Sequence, residues 1–456
     1  MREKTLAAAP PETAEGRAKL ARRAAIASLV GTAVEWYDYF IFGTASALVF
    51  GKLFFPSQSS ISGTLSAFAV FGVGFVARPV GGIVFGHIGD RLGRKGALIT
   101  TLLMMGGATF LMGVLPTTEQ VGVLAPILLV LLRIVQGFGV GGEWGGASLV
   151  AVEYAPEGKR GAYGSFPQVG NAIGLVVSTG AFALVSLLPD EQLLAWGWRI
   201  PFLASIVLVL VGLLIRVKLT ETPAFVAAQR MLEAKKAAGE SGKDSPPLAS
   251  LLRRERGPLL ITMALRLGEG VFGYILLTFV LTYATNYTDI AKGDMLLAST
   301  IAAAVGIVTF YLLGRLSDRI GRRPVYIIGA AIGIVTAFPL FWVLDTNSVP
   351  LVIVAVTITY ALGVGAMYAV EPSMFSELFA TTTRYTGVSL AAQIPSILVG
   401  AWPYAATALL IATGGNPWPV VLITVVVLAL GIWAALAAPE TNRKDIVAHA
   451  TTGQGA

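Results

Sequence analysis

The chain contains no cysteine, which excludes disulfides and thiol chemistry and makes a metal site unexpected. Histidine is almost as scarce: of 456 residues only His87 and His449 carry an imidazole. Any proton relay within the chain must therefore use carboxylates. Charge is sparse as well. Asp, Glu, Lys and Arg make up 13% of the residues, against about 25% in a soluble domain. The hydrophobic share is 55% and the mean hydropathy +0.74, so the chain reads as a polytopic membrane protein. The first 23 residues are polar and basic with no apolar core, and no cleavable signal peptide is expected. A net charge of +7 and a pI near 9.5 could suggest nucleic acid. Positive charge also collects in cytoplasmic loops for topological reasons, and that reading is preferred, with no nucleic-acid partner.

What the sequence does have is apolar runs of about 20 residues or more, the length that crosses a bilayer. Six lie near 24–50, 61–85, 97–116, 121–153, 161–188 and 198–217. Six more lie near 258–288, 294–313, 324–344, 349–376, 385–413 and 417–438. The expected organisation is a polar cytosolic arm (1–23), a six-helix bundle (24–217), a cytosolic linker (218–257), a second six-helix bundle (258–438) and a cytosolic tail (439–456). Alternate loops hold only Lys52 and Lys292. The other set carries nearly all the remaining loop Lys and Arg, which places both termini inside the cell.

The two halves repeat. Gly86-His-Ile-Gly-Asp-Arg-Leu-Gly-Arg-Lys95 returns 228 residues later (314 − 86) as Gly314-Arg-Leu-Ser-Asp-Arg-Ile-Gly-Arg-Arg323. Glu153 with Arg160 after the fourth run matches Glu377 with Arg384 after the tenth. Glu221 after the sixth matches Glu440 after the twelfth. A repeat at half the chain length, between apolar helices, is how many transporters are built. Duplicated charge on one face suggests a cytosolic latch between the halves. Asp90 can accept from a facing helix N-terminus, while Arg91 and Arg94 can bind Glu153 or Glu221. Asp318, Arg319 and Arg322 can do the same with Glu377 and Glu440. Gly89 and Gly93 are read as permitting a tight loop, and Gly86 as allowing close helix approach.

This decapeptide resembles the hallmark loop of the major facilitator superfamily. Further stretches are similar to its metabolite:proton symporters: Gly31-Thr-Ala-Val-Glu-Trp-Tyr-Asp-Tyr-Phe40, Phe75-Val-Ala-Arg-Pro-Val-Gly-Gly82, Arg133-Ile-Val-Gln-Gly-Phe-Gly-Val-Gly-Gly-Glu-Trp-Gly-Gly146 and Trp196-Gly-Trp-Arg-Ile-Pro-Phe202. That family includes shikimate, α-ketoglutarate, citrate and proline/betaine carriers. The resemblance spans about 24–443 and is nearest to the shikimate-type members. It implies an all-α fold of twelve transmembrane helices, in two bundles related by a pseudo-two-fold, that works by alternating access and proton-coupled uptake.

Ionisable groups inside spanning helices are costly and are functional candidates, unless they simply neutralise one another and set helix register. The first run has Glu35 and Asp38 on one face, the second Arg78, the fourth Arg133 and Glu143, the seventh Arg266 and Glu269, and the tenth Glu371. Asp38 and Arg133 each lie roughly 12 to 15 residues from a helix end, at similar depth for a rise of about 1.5 Å per residue. Proton-coupled sugar carriers of the superfamily have an aspartate and an arginine at the matching positions. The resemblance therefore implies a switch in which Asp38, with Glu35 in second place, takes a proton when separated from Arg133. Arg78 and Arg266 are candidate clamps for a carboxylate, although Glu269 lies one turn from Arg266 and can already neutralise it. Tyr37 stands beside the acidic pair. Gln168, Asn171, Gln393, Tyr274 and Tyr360 supply either polar contacts to a solute or core packing. The glycines of 137–146 lie in an apolar run, follow no strand and lack a Lys-Ser/Thr ending. They are read as close packing against the fifth helix rather than a nucleotide loop.

The sequence thus points to a secondary transporter rather than an enzyme: a multi-pass, inner-membrane, monomeric importer of a small organic acid. It would be powered by the proton gradient, with no cofactor. An exporter of the same fold, a zwitterion or osmolyte symporter, and a transport-dead membrane sensor are the alternatives.

Overall fold

The computed structural model describes residues 13–56, 60–237 and 247–443. The start of the polar arm, the middle of the linker, His449 and most of the tail lie outside the described residues. Among these residues every regular element is helical. Twelve long helices follow in order: α1 Ala14–Ala45, α2 Ser60–Arg91, α3 Arg94–Gly113, α4 Leu124–Glu153, α5 Arg160–Val185, α6 Arg199–Val217, α7 Arg256–Tyr287, α8 Lys292–Ile320, α9 Arg322–Asp345, α10 Val349–Leu378, α11 Arg384–Ala412 and α12 Trp418–Ala437. Two short helices, Pro223–Ala237 and Pro247–Arg254, lie between α6 and α7.

Eleven helical segments among the described residues are long and apolar enough to cross a membrane by themselves. The exception is α1, whose middle carries Glu35, Tyr37, Asp38 and Tyr39. It is held by burial against α5 rather than by its own hydropathy. The helix also begins ten residues before the apolar run. Thr13 caps it by accepting from the Gly16 N–H at 3.1 Å. Ala21, Ala24 and Ala27 then pack with Leu98, Val150, Tyr154 and Leu219. Residues 14–23, expected in the arm, are thus part of α1: Ala, Leu, Arg and Lys favour helix, and one face has a partner.

Packing repeats between the halves. In the first, α1 lies on α5 and α3 on α6; in the second, α7 lies on α11 and α9 on α12. The halves meet through α2 against α11 and α5 against α8, which is the same pairing read in both directions. The fold is the two-bundle, twelve-helix arrangement with a pseudo-two-fold axis between bundles.

The glycine-rich stretch of α4 packs mainly on α2, not on α5 as expected. A Cβ at Gly137 would meet the Gly74 backbone, and one at Gly141 the carbonyl of Arg78. The glycines of α5, Gly170 and Gly174, instead face α1 at Leu29 and Ala33. Glycine here draws two backbones together where apolar surface alone gives helices no reason to associate. Gly141→Ala is expected to cost about 1–3 kcal/mol by overpacking, read as a lower thermal midpoint of the purified protein. Gly107→Ala, with open space at its Cβ, should leave that midpoint in place.

Candidate functional site

The repeated decapeptides are not loops. α2 runs through Arg91 and α8 through Ile320, so Asp90 and Asp318 stand on last helical turns. The chain reverses at Gly93 (φ 114°) and Gly321 (φ 106°), a backbone region open to glycine. Gly89 serves otherwise than expected: it lets the ring of Tyr385 lie against α2.

Each aspartate caps a helix of the other bundle. Asp90 accepts from the N–H groups of Tyr385 (3.0 Å) and Thr386 (2.9 Å) and from the Thr386 hydroxyl (2.8 Å), at the start of α11. Asp318 accepts from Gly161 N–H (2.7 Å) and Ala162 N–H (2.9 Å), at the start of α5. A carboxylate at a helix N-terminus meets free N–H donors and the positive end of the dipole.

The Glu…Arg pairs that follow α4 and α10 in sequence are exchanged in space. Glu153 binds Arg94 of its own bundle (2.8 Å) and Arg384 of the other (3.0 Å) on one oxygen. Glu377 binds Arg322 of its own bundle (3.1 Å) and approaches Arg160 of the other at 3.9 Å. Thr222 and Thr441 donate to the second oxygens of Glu153 and Glu377, both at 2.6 Å. Glu221 accepts from the backbone N–H of Arg94 at 2.9 Å, and Glu440 from that of Arg322 at 2.8 Å. Burial pushes the Glu221 carboxyl up from its ordinary range, against the pull of these N–H donors. Arg91 and Arg319 depart from expectation. Both are exposed, because the residue after each aspartate turns away from the partner bundle.

Inside the membrane span, Asp38 and Arg133 are not an ion pair. They are joined through two side chains that the sequence did not single out. Arg133 donates to Gln136 Oε1 (2.5 Å), Gln136 Nε2 to Thr109 Oγ1 (2.7 Å) and Thr109 to Asp38 Oδ2 (2.7 Å). All three donors point from guanidinium to carboxylate, so the bonds polarise one another. Asp38 Oδ1 is buried without a hydrogen-bond partner among the described residues, as is Oε2 of Glu35. The Arg133 guanidinium also lies over the rings of Phe42 (4.3 Å) and Phe71 (4.7 Å).

Arg78 is 8% exposed and stacked over Phe75 (4.4 Å) and Tyr39 (5.4 Å). Neither Arg78 nor Arg133 has a carboxylate within ion-pair reach among the described residues. Tyr39 shares a 2.8 Å hydrogen bond with Tyr274, linking α1 to α7 beside Arg78. By contrast Glu143 is neutralised by Arg216, a residue at the end of α6 not singled out by the sequence reading.

Three expected solute contacts are otherwise engaged. Arg266 is held by both Glu269 and Glu371, each at 2.8 Å, and is no open clamp. Tyr37 donates to the Pro201 carbonyl (2.7 Å) within its own bundle. Gln168 accepts from Trp144 (3.2 Å) and donates to the Tyr368 carbonyl (2.8 Å), tying α5 to α10. Asn171 and Gln393 are buried, and neither side chain makes a hydrogen bond among the described residues; Gln393 lies against Gly82 of α2. Tyr360 packs on Phe310.

Matched bundles tied at one end by exchanged charges, with ionisable groups buried between them, define a membrane transporter rather than an enzyme. A sequence model described as sugar (and other) transporter matches residues 24–449. The chain is 41% identical over 443 residues to the shikimate transporter of Escherichia coli (strain K12), covering 97% of this chain and 100% of that one. It is 34% identical over 427 residues to the glycine betaine/proline/ectoine/pipecolic acid transporter OusA of Dickeya dadantii (strain 3937), covering 93% and 84%. A solved structure of the proton:xylose symporter XylE bound to 6-bromo-6-deoxy-D-glucose superposes with a TM-score of 0.75 at 17% identity, covering 94% and 98%. The chain belongs to the sugar and other transporter family of the major facilitator superfamily.

Removing Glu153 should expose how much the exchanged pairs contribute. Glu153→Gln leaves Arg94 and Arg384 buried without their carboxylate and is expected to cost about 3–5 kcal/mol. Arg384→Gln added to it should recover part of that loss. Thermal unfolding of the two variants checks this; a single variant as stable as the wild type would show that the pairs contribute nothing.

Proposed function

We propose that the chain is a proton-coupled secondary transporter that imports a small organic anion (shikimate-like, keto acid or dicarboxylate) across the inner membrane, as a monomer with both termini in the cytosol. The observation that carries this reading is the pair of buried guanidiniums in the N-terminal bundle, Arg78 and Arg133, left without a carboxylate beside the buried acids Glu35 and Asp38. A dry, unpaired guanidinium is expensive, and the carboxylate of a solute supplies the missing partner through a planar two-bond fork. Arg78, stacked on two rings beside the Tyr39–Tyr274 link between bundles, is the solute clamp. Asp38 is the proton carrier, and its bare Oδ1 is the atom that takes the proton. When the Thr109–Gln136 bridge to Arg133 is broken, the ionised form of Asp38 loses its support, which couples proton binding to bundle motion.

At the charged end, the Asp90 and Asp318 caps and the exchanged Glu153 and Glu377 pairs act as the cytosolic latch. They hold that side closed and must separate for release. The energy source is the proton gradient, with no cofactor. A second reading, a zwitterion carrier, is favoured by Glu35, whose unpartnered oxygen could meet an ammonium group near Arg78.

A thermal-shift screen of the purified carrier with shikimate, dicarboxylates, keto acids and betaines separates the two: anions should stabilise it and betaines should not. In proteoliposomes loaded with the stabilising solute, Asp38→Asn should abolish accumulation driven by an imposed proton gradient while sparing solute exchange. Full accumulation in that variant would remove Asp38 from the mechanism. Asp90→Asn should slow net uptake several-fold with little change in solute affinity, measured by separate flux and binding assays. A defect confined to affinity would rule out the latch.

A further inference from the structure

Arg266 anchors a second buried constellation, in the C-terminal bundle, that the Asp38 switch leaves unused. Its Nη1 alone donates to Glu269 Oε2 and Glu371 Oε2, each at 2.8 Å. The glutamates are 6% and 0% exposed. The guanidinium lies 5.3 Å from the ring of Trp144 on α4 and 5.3 Å from that of Tyr368 on α10, so it stands where the two bundles face each other.

With both acids ionised, two largely buried negative charges would share one positive charge. An excess buried charge of that kind is costly unless something neutralises it. The surrounding groups do not. Tyr326, Tyr360, Tyr368 and Tyr274 surround the triad and are neutral at ordinary pH. Glu35, the acid that reaches it from α1, supplies no positive charge either. A second, independent feature shows where the deficit lies: Oε1 of Glu371 is fully buried with no hydrogen-bond partner among the described residues, and so is the hydroxyl of Tyr368.

We propose that Glu269 and Glu371, with Arg266 as their shared counter-ion, form a second proton-binding site that holds one proton in this conformation, seated on the bare oxygen of Glu371. The site is separate from Asp38 and belongs to the other bundle. Because Arg266 touches a ring from each bundle, rocking changes its surroundings and so the hold on that proton. The proton comes from solvent and returns to it, with no bond broken elsewhere. Proton binding here does not depend on which solute is carried, so it stands or falls apart from the transport reading.

Infrared spectroscopy on the purified full-length carrier, near neutral pH and without solute, tests this directly. A carboxylic-acid carbonyl component that shifts in heavy water is expected in the wild type. It should vanish in Glu371→Gln and persist in Asp38→Asn. Because glutamine mimics the neutral acid, Glu371→Gln should keep the wild-type thermal midpoint, whereas Arg266→Gln should lower it. In proteoliposomes, the number of protons moved per solute should fall by one in Glu371→Gln. Persistence of the component in Glu371→Gln would overturn the proposal. So would a wild-type spectrum without it, together with a Glu371-dependent thermal shift on adding Na⁺, which would mark an alkali-cation site instead.

Discussion

Glu153 has no exposed side-chain surface and holds a guanidinium from each bundle on a single oxygen. Much of the structure follows from this arrangement and its counterpart at Glu377. A buried carboxylate needs charged partners, since desolvation is repaid only by close and well-directed neighbours. Here each bundle supplies one partner and borrows the other. The two bundles therefore neutralise their charged ends together. The Asp90 and Asp318 caps add a similar crossed dependence through backbone N–H groups. Contacts of this kind are directional and few, so a tilt of a few ångströms breaks them as a set.

Within the membrane span the two bundles treat charge differently. The N-terminal bundle has a balanced pair, Glu143 with Arg216, and a polarised relay from Arg133 to Asp38. It also has a lone guanidinium, Arg78, cushioned by aromatic rings. The C-terminal bundle concentrates its charge in one triad of two acids and one base. Sequence duplication has thus been kept at the charged ends and lost in the interior. Helix packing repeats with the two-fold, whereas the chemistry between the bundles is asymmetric.

Much of this was legible from the chain alone. Twelve apolar runs, the 228-residue repeat and the matching glutamates are patterns of composition and spacing, and they indicated the architecture before any coordinate. Individual partners were harder to read. Thr109 and Gln136 sit in apolar runs, where a threonine or glutamine has no distinctive pattern, so the bridge between Asp38 and Arg133 could not be inferred. Arg216 looked like an ordinary helix-end charge until Glu143 was seen to need it. Arg266 read as a clamp because Glu371, 105 residues away along the chain, gave no sign of reaching it. Arg91 and Arg319 carried the same motif weight as Arg94 and Arg322, yet helix phase turned them outward.

The sequence by itself determined that the protein is helical, spans a membrane and consists of two related halves, because bilayer thickness sets a run length that composition reveals directly. It also located the ionisable residues that must be compensated. Only the tertiary structure decided which of them compensate one another: that Glu153 takes Arg384 rather than Arg160, that Asp38 reaches Arg133 through two neutral side chains, and that Arg266 is already occupied. Electrostatic pairing depends on distances of a few ångströms between helices remote in sequence, and no periodicity along one helix encodes which neighbour will face it.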